Sequence, residues 1–299
     1  MKSARQILKE AVKKKVAIGH FNISDLAGLK AVVGAVSDLK VPVFIGTSEG
    51  EAKFLERRAI AAYVRTLRED LKLPIFLNSD HTHSFDEVKK AVAAGYDAIL
   101  FDGGNLPLAE NIKQTKKVVS YVRSKNKNIL IEGELGNIGS GSIIRKDFPK
   151  GAAIKSEDLT SSDDALMFVK STGVDILAPA VGNFHGMLAR RSPQGEGGFV
   201  GYDYPLNIER IRQIKKAVKI PLVLHGGSGN SDSDFSAAIG AGINIIHIST
   251  ELRVAWRRGL EKGLKENPEE ISPYKLLVPA IDGMKEIICR RLQLFNKLV

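Results

Sequence analysis

The 299-residue chain carries six histidines, and three of them, His81, His185 and His225, stand at or just beyond the end of a short apolar run. An imidazole gives a neutral nitrogen ligand to a divalent metal. Three of them with one position left open make the ligand set of a catalytic zinc site. His81 has a carboxylate beside it, Asp80, in the stretch LPIFLNSDHTHS at residues 73–84. A carboxylate next to a metal can take or give a proton during a reaction. Ser84 in the same stretch has a plainer use, since with Glu87 three residues on it forms the capping box of a helix. That box leaves Asp80 and His81 unexplained. Taken alone, the stretch fits a functional pair and an incidental one equally.

Elements of regular spacing must carry these residues. Apolar runs of strand length occur at 16–21, 41–45, 74–77, 98–101, 128–131, 174–181, 220–224 and 243–248, with a helical pattern after each. Alternating strands and helices predict a parallel sheet, and eight such units predict a closed (β/α)8 TIM barrel. The expected organisation is one domain over residues 1–299, with 272–299 as a helical tail outside the eight units. Active sites of such barrels lie at the C-terminal ends of the strands. Here those ends carry Asn22, Ser48, Asp80 with His81, Asp102, Glu134, His185, His225 and Thr250. Convergence of three histidines on one barrel mouth favours the metal reading over scattered surface or core histidines. The glycine clusters GNFHG and HGGSG follow the sixth and seventh strands, where barrels often build a phosphate site. Glycine lets backbone N–H groups approach an anion closely, although it also serves tight turns. Long segments at 137–160 and 187–205 are expected to be lids or locally ordered insertions.

Composition narrows the class. Apolar residues make up 43% and charged residues 26%, an ordinary globular balance. The formal net charge is +10, but it is spread along helical segments and no nucleic-acid motif accompanies it. An anionic small molecule is the expected beneficiary. No apolar run reaches membrane-spanning length, so no membrane partner is expected. The first fifteen residues lack an apolar core and a small-residue cleavage site, which predicts an amphipathic helix and not a signal peptide. The single cysteine, Cys289, fits a reducing cytoplasm.

These motifs in this order resemble the class II, metal-dependent fructose-bisphosphate aldolases, including their tagatose-bisphosphate branch. The resemblance runs nearly end to end: Phe21-Asn22, SEG at 48–50, Asp80-His81, FDGGNLPLAENI at 101–112, EGELG at 132–136, LAPAVGNFHG at 177–186, PLVLHGGSG at 221–229 and STELR at 249–253. It implies a zinc ion held by His81, His185 and His225, with Asp80 as the proton-transfer residue. Glu134 and Asp102 would serve an alternate or second metal position, or a monovalent cation. Asn22, Ser48, Gly186, Gly226, Gly227, Ser228, His247, Ser249 and Thr250 would line the sugar-phosphate site, and Arg253 would face the phosphate at the other end. The expected assembly is a homodimer or homotetramer. The chain departs from the family pattern at Asn78, where a histidine is common. Ser142 stands near the usual place of a loop glutamate, and His247 and Ser249 replace an asparagine and an aspartate or asparagine.

The implied reaction is reversible cleavage of a ketose 1,6-bisphosphate, by default fructose 1,6-bisphosphate, to dihydroxyacetone phosphate and glyceraldehyde 3-phosphate. A metal would spread the negative charge left next to the carbonyl. A lysine Schiff base does that work in other aldolases, but no strand end here carries a lysine. Two alternatives remain. A metal-dependent barrel hydrolase is suggested by His81-Thr82-His83, yet its H-x-H belongs on a first strand, where this chain has only His20. His83 is therefore read as a loop residue. A non-catalytic sugar-phosphate binder would explain Ser142 and His247, since fold does not fix function.

Overall fold

Ser3 and Gln6 close a capping box, and the helix they start, α1 (Ala4–Lys14), ends in a left-handed Lys15. Its apolar face, Ala4, Leu8 and Ala11, packs on Ile18, Phe44, Phe76, Leu130 and Ile245, which lie near the starts of five strands. The amphipathic N-terminus thus plugs the N-terminal end of a barrel. The structure is a computed structural model, and it describes residues 2–139, 141, 143–146, 155–188 and 206–298.

The chain proceeds through β1 (Ile18–Asn22), α2 (Leu26–Leu39), β2 (Val43–Thr47), α3 (Glu49–Phe54), α4 (Arg57–Leu71), β3 (Ile75–Thr82), α5 (Phe85–Ala94), β4 (Ala98–Phe101), α6 (Leu108–Lys125) and β5 (Leu130–Leu135). It continues through β6 (Ile144–Arg145), α7 (Ser162–Thr172), β7 (Ile176–Pro179), β8 (Met187–Leu188), α8 (Ile208–Val218), β9 (Leu222–Leu224), α9 (Asp232–Ala241), β10 (Ile243–Ile248), α10 (Thr250–Glu266), α11 (Pro273–Leu276) and α12 (Val278–Phe295). Eight strands close in the order β1-β10-β9-β7-β5-β4-β3-β2, all pairs parallel. The expected (β/α)8 barrel is present. β6 and β8, a two-stranded parallel pair, lie in the two long insertions.

Period-two alternation sorts the inward side chains into layers. The lowest layer is apolar, with Ile18, Phe44, Phe76 and Leu130. Two residues further along the strands come His20, Asn78, Glu132 and His247, with His20 and His247 in register. Two further still come Asn22, Asp80 and Glu134. Polarity therefore rises along the barrel axis toward the C-terminal mouth. Two strands run past their apolar runs for this reason. β3 reaches Thr82 and β5 reaches Leu135, because their later residues face a polar interior.

The tail packs on the barrel wall. α12 lies against α10 and α2. Close approach is set by Gly259, where an added Cβ would come within 2.3 Å of the Ala280 Cα. Arg291 on α12 is buried and bonds Glu251 at 2.8 Å and Asp232 at 2.7 Å. Among the described residues, no helix is long and apolar enough to cross a membrane. Ser142 and most of 187–205 lie outside the described residues.

Candidate active site

β3 is irregular at Asp80 and His81. Ser79 pairs with Ile99 and Thr82 with Phe101, so β3 spends one residue more than β4 over the same span. The extra residue is a bulge, and His81 absorbs it with φ of 46°, a left-handed conformation rare outside glycine. In an unbroken strand Asp80 and His81 would leave on opposite faces. The bulge turns both into the barrel mouth.

There His81 Nε2 lies 3.1 Å from His185 Nε2. The second nitrogen of each imidazole is anchored. His81 Nδ1 meets Asp102 Oδ2 at 2.8 Å, His185 Nδ1 meets the Gly139 carbonyl at 2.9 Å, and His225 Nε2 meets Glu132 Oε1 at 2.8 Å. All three partners are acceptors, so each anchored nitrogen carries a proton, and in the neutral ring the other nitrogen presents a lone pair. The free His225 Nδ1 is buried without a partner. The three free nitrogens lie within 4.8 Å of one another. Two lone pairs 3.1 Å apart repel each other unless a proton or a metal cation lies between them. That spacing approaches the tetrahedral edge of about 3.3 Å expected for zinc–nitrogen bonds. Carboxylates holding the far side of ligand histidines are the usual support of such sites. The donor set fits a divalent metal.

The electrostatics agree. Burial disfavours charge on His81, yet Asp80, Asp102 and Glu134 overcome it and push its pKa up to about 10. These carboxylates demand a positive charge, which an imidazolium or a bound cation can supply. Burial also opposes ionisation of Asp80, but His81, His247 and His20 hold its pKa well below the usual carboxylate value. Burial, and then Asp102, raises Glu134 well above its ordinary value. Burial pushes His185 down to about 3. His81, Asp102 and Glu134 form a second group able to hold a metal, sharing His81 with the first.

Asp80 is buried beside this centre. Asn22 Nδ2 donates to its Oδ2 at 2.9 Å, and its Oδ1 has no hydrogen-bond partner. His247 Nδ1 approaches Oδ1 at 3.5 Å, an ion-pair distance too long for a strong hydrogen bond. The His247 ring lies in a column. It stacks on His20 at 3.5 Å between centroids and 1° between planes, and tilts over His225 at 3.9 Å. Parallel rings cannot aim in-plane lone pairs at one ion, so His20 and His247 do not make a joint metal site despite their proximity.

A cavity of about 290 Å³ opens over these groups. Asn22, Ser48, Asp80, His81, Asp102 and His185 line it, as do Gly186, Gly226, Ser228, His247, Ser249, Thr250 and Arg253. His225, Glu134 and Gly227 stand behind its wall. The Gly227 N–H is committed to the His247 carbonyl, so it is not free for an anion. Gly226 has φ of 58°, and a Cβ there would come within 2.1 Å of the Phe184 carbonyl oxygen, so no other residue fits. Ser228 Oγ accepts from the N–H groups of Ser249 and Glu251, both at 3.2 Å, and thereby caps α10. Arg253 Nη2 reaches Glu51 Oε1 at 2.7 Å.

Four participants escaped the sequence reading. Glu51 bonds Asn22, Ser24, Ser48 and Arg253, and the capping-box spacing from Ser48 was its visible signal. Glu132, inside the EGELG motif, fixes His225. Asn105, inside the FDGGNLPLAENI motif, lines the cavity, and His20 lies under His247 with no local signal. His83 is at the rim, 3.6 Å from Asp102, with its side chain 57% exposed, and lies outside the group of three.

Comparison with known proteins follows the same lines. The family described as Fructose-bisphosphate aldolase class-II matches residues 2–298. A fructose-bisphosphate aldolase of Geobacillus stearothermophilus is 30% identical over 297 residues, 98% of this chain and 96% of that protein. A 6-phospho-5-dehydro-2-deoxy-D-gluconate aldolase of Bacillus licheniformis is 31% identical over 297 residues, 98% of this chain and 94% of that protein. Among solved structures, the YdjI aldolase of Escherichia coli K12 aligns with a TM-score of 0.78 at 28% identity, covering 99% of this chain and 97% of that one.

Proposed function

The chain belongs to the class II fructose-bisphosphate aldolase family, and on that footing we propose that it reversibly cleaves a ketose phosphate to dihydroxyacetone phosphate and an aldehyde. Fructose 1,6-bisphosphate is the reference ketose, with glyceraldehyde 3-phosphate as the aldehyde. The observation that carries this reading is the meeting of three anchored imidazoles beside a buried, ionised Asp80. His81, His185 and His225 would hold one divalent cation, zinc by the chemistry of three neutral nitrogens. Asp102 and Glu134 lie beside it as an alternate position. When bound, the cation polarises the substrate's carbonyl and hydroxyl oxygens and spreads the charge left by cleavage.

The protein's own groups do the rest. Asp80 takes the proton from the hydroxyl next to the scissile bond in cleavage, and returns it to the aldehyde oxygen in condensation. Asn22 pins one carboxylate oxygen and leaves the other for the substrate. Gly186, Gly226, Ser249 and Thr250 border an anion position at the start of α10, where the helix dipole favours a phosphate. Ser228 orders that helix end through its hydroxyl. Arg253, about one turn along α10, also lines the cavity. His247 supports Asp80 from below and forms part of the floor.

A second ketose competes on equal terms. The gluconate-type relative is as similar as the fructose-bisphosphate one, so 6-phospho-5-dehydro-2-deoxy-D-gluconate belongs in the same assay. The reading extends to a cytoplasmic homodimer or homotetramer, for which Ile271, Tyr274 and Val278 offer exposed apolar surface. The test is a retro-aldol assay on both ketoses before and after chelation. Activity should vanish with chelator and return with zinc or cobalt. If the zinc-loaded protein fails to bind dihydroxyacetone phosphate at millimolar concentration, the aldolase reading falls.

A further inference from the structure

A second recess adjoins the catalytic cavity and shares two lining residues with it, Asn22 and Arg253. Its volume is about 320 Å³. Ile23, Phe54, Leu252, Trp256 and Met284 give it an apolar wall, supplied by β1, α3, α10 and α12 or the turns beside them. Trp256, the one tryptophan of the chain, is fixed there by a 2.7 Å bond from its indole N–H to Asp25 Oδ2.

The group between the two spaces is a cation paired with a carboxylate. Arg253 bonds Glu51 at 2.7 Å, and that carboxylate also accepts from Asn22, Ser24 and Ser48. A carboxylate therefore offsets the Arg253 charge before any substrate arrives. Asp25 adds a second carboxylate at the recess. An anion entering here would meet two carboxylates and one committed guanidinium. An uncharged chain would meet apolar walls and lose water on entry.

We propose that this recess receives the uncharged tail of the aldehyde partner, giving the protein a class of acceptor that lacks a second phosphate. The inference rests on the aldolase reading above and adds a substrate class to it. In condensation, the new bond joins the carbon next to the dihydroxyacetone phosphate carbonyl to the aldehyde carbon. The C–H bond on that donor carbon breaks as the new bond forms, the proton it loses balances the one that Asp80 delivers to the aldehyde oxygen, and no further reactant is needed. The rest of the aldehyde then extends past Asn22 and Arg253 into the recess.

Zinc-loaded protein should be assayed for condensation of dihydroxyacetone phosphate with glyceraldehyde 3-phosphate, propanal and hexanal. A buried methylene is worth roughly fourfold, so kcat/KM for hexanal should exceed that for propanal by about tenfold or more. Gly28 also lines the recess, and a Cβ there meets nothing closer than 3.5 Å, so Gly28→Leu can fill the space without backbone strain. That variant should bring the hexanal-to-propanal ratio close to one. Independently of any variant, unreactive 1-hexanol should change the Trp256 emission saturably. Turnover of glyceraldehyde 3-phosphate with a hexanal-to-propanal ratio near one in the unaltered protein overturns the inference and leaves the aldolase reading standing. So does a Trp256 emission indifferent to hexanol, as when a second copy of the chain fills the recess. Absence of condensation with all three aldehydes removes the aldolase reading, and this inference with it.

Discussion

Asp80 and His81 show how a single backbone angle creates a site. Adjacent residues of a strand point apart, and only the left-handed φ of His81 brings both into one cleft. Their roles separate by mutation. Asp80→Ala should keep the metal and lose about two to four orders of magnitude in kcat, the usual worth of a proton-transfer group. Near-normal turnover would remove Asp80 from the mechanism. His185→Ala or His225→Ala should lower metal content by elemental analysis, whereas His83→Ala should leave it nearly intact. His20 offers a different test. Burial drives its pKa down to about 4 from an unfolded value near 6.5, with Asp80 opposing. A depressed pKa contributes stability above the unfolded value, which is lost as pH falls from about 6.5 toward 4. The loss amounts to roughly 3 kcal/mol at most. His185 shifts in the same direction, while the raised pKa of His81 gives stability that is full below about 6.5 and is lost only as pH rises toward about 10, outside this window. In metal-free protein, His20→Asn should therefore flatten the fall of Tm across this acid window. An unchanged slope would mean that His20 is not buried neutral.

At the scale of elements, the tail is the clearest case. The 272–299 segment reads as helical from its pattern, but nothing in that pattern says what it covers. Gly259 answers, because only a residue without a side chain lets α10 reach the α12 backbone. Gly259→Ala should push the two helices apart and cost about 1–3 kcal/mol in chemical denaturation, the usual price of overpacking. A change below about 0.5 kcal/mol would show that the helices yield freely. The strand ends teach a related lesson. Apolar runs locate the lower half of β3 and β5 correctly, and miss the upper halves. There Asn78, Asp80, Glu132 and Glu134 face the polar interior of the mouth, and hydrophobicity no longer marks a strand.

For the molecule as a whole, the net charge of +10 bears on how substrate arrives. A phosphorylated ketose should be steered toward this surface, and salt should weaken the effect. Between about 0.01 M and 0.15 M ionic strength the Debye length contracts from roughly 30 to 8 Å. kcat/KM should fall severalfold over that range, with kcat nearly constant. A flat kcat/KM would show that the charge is spread too evenly to steer.

The sequence by itself determined the eight-unit barrel, because alternating strand and helix patterns are local and repeat along the chain. It also marked which strand ends carry polar and ionisable residues, since polar residues closing apolar runs need no distant information. The tertiary structure alone decided how those ends combine. The His20–His247–His225 column, the Glu132 bond to His225 and the Arg253–Glu51 pair join residues 22 to 227 positions apart, by register and closure. Gly227 and His225 illustrate the same limit. Their types were legible as anion and metal chemistry, but backbone direction committed one N–H to His247 and left the other residue's Nδ1 bare. Local pattern fixes which atoms are available. Only packing fixes which of them remain unpartnered, and unpartnered atoms are the ones that bind.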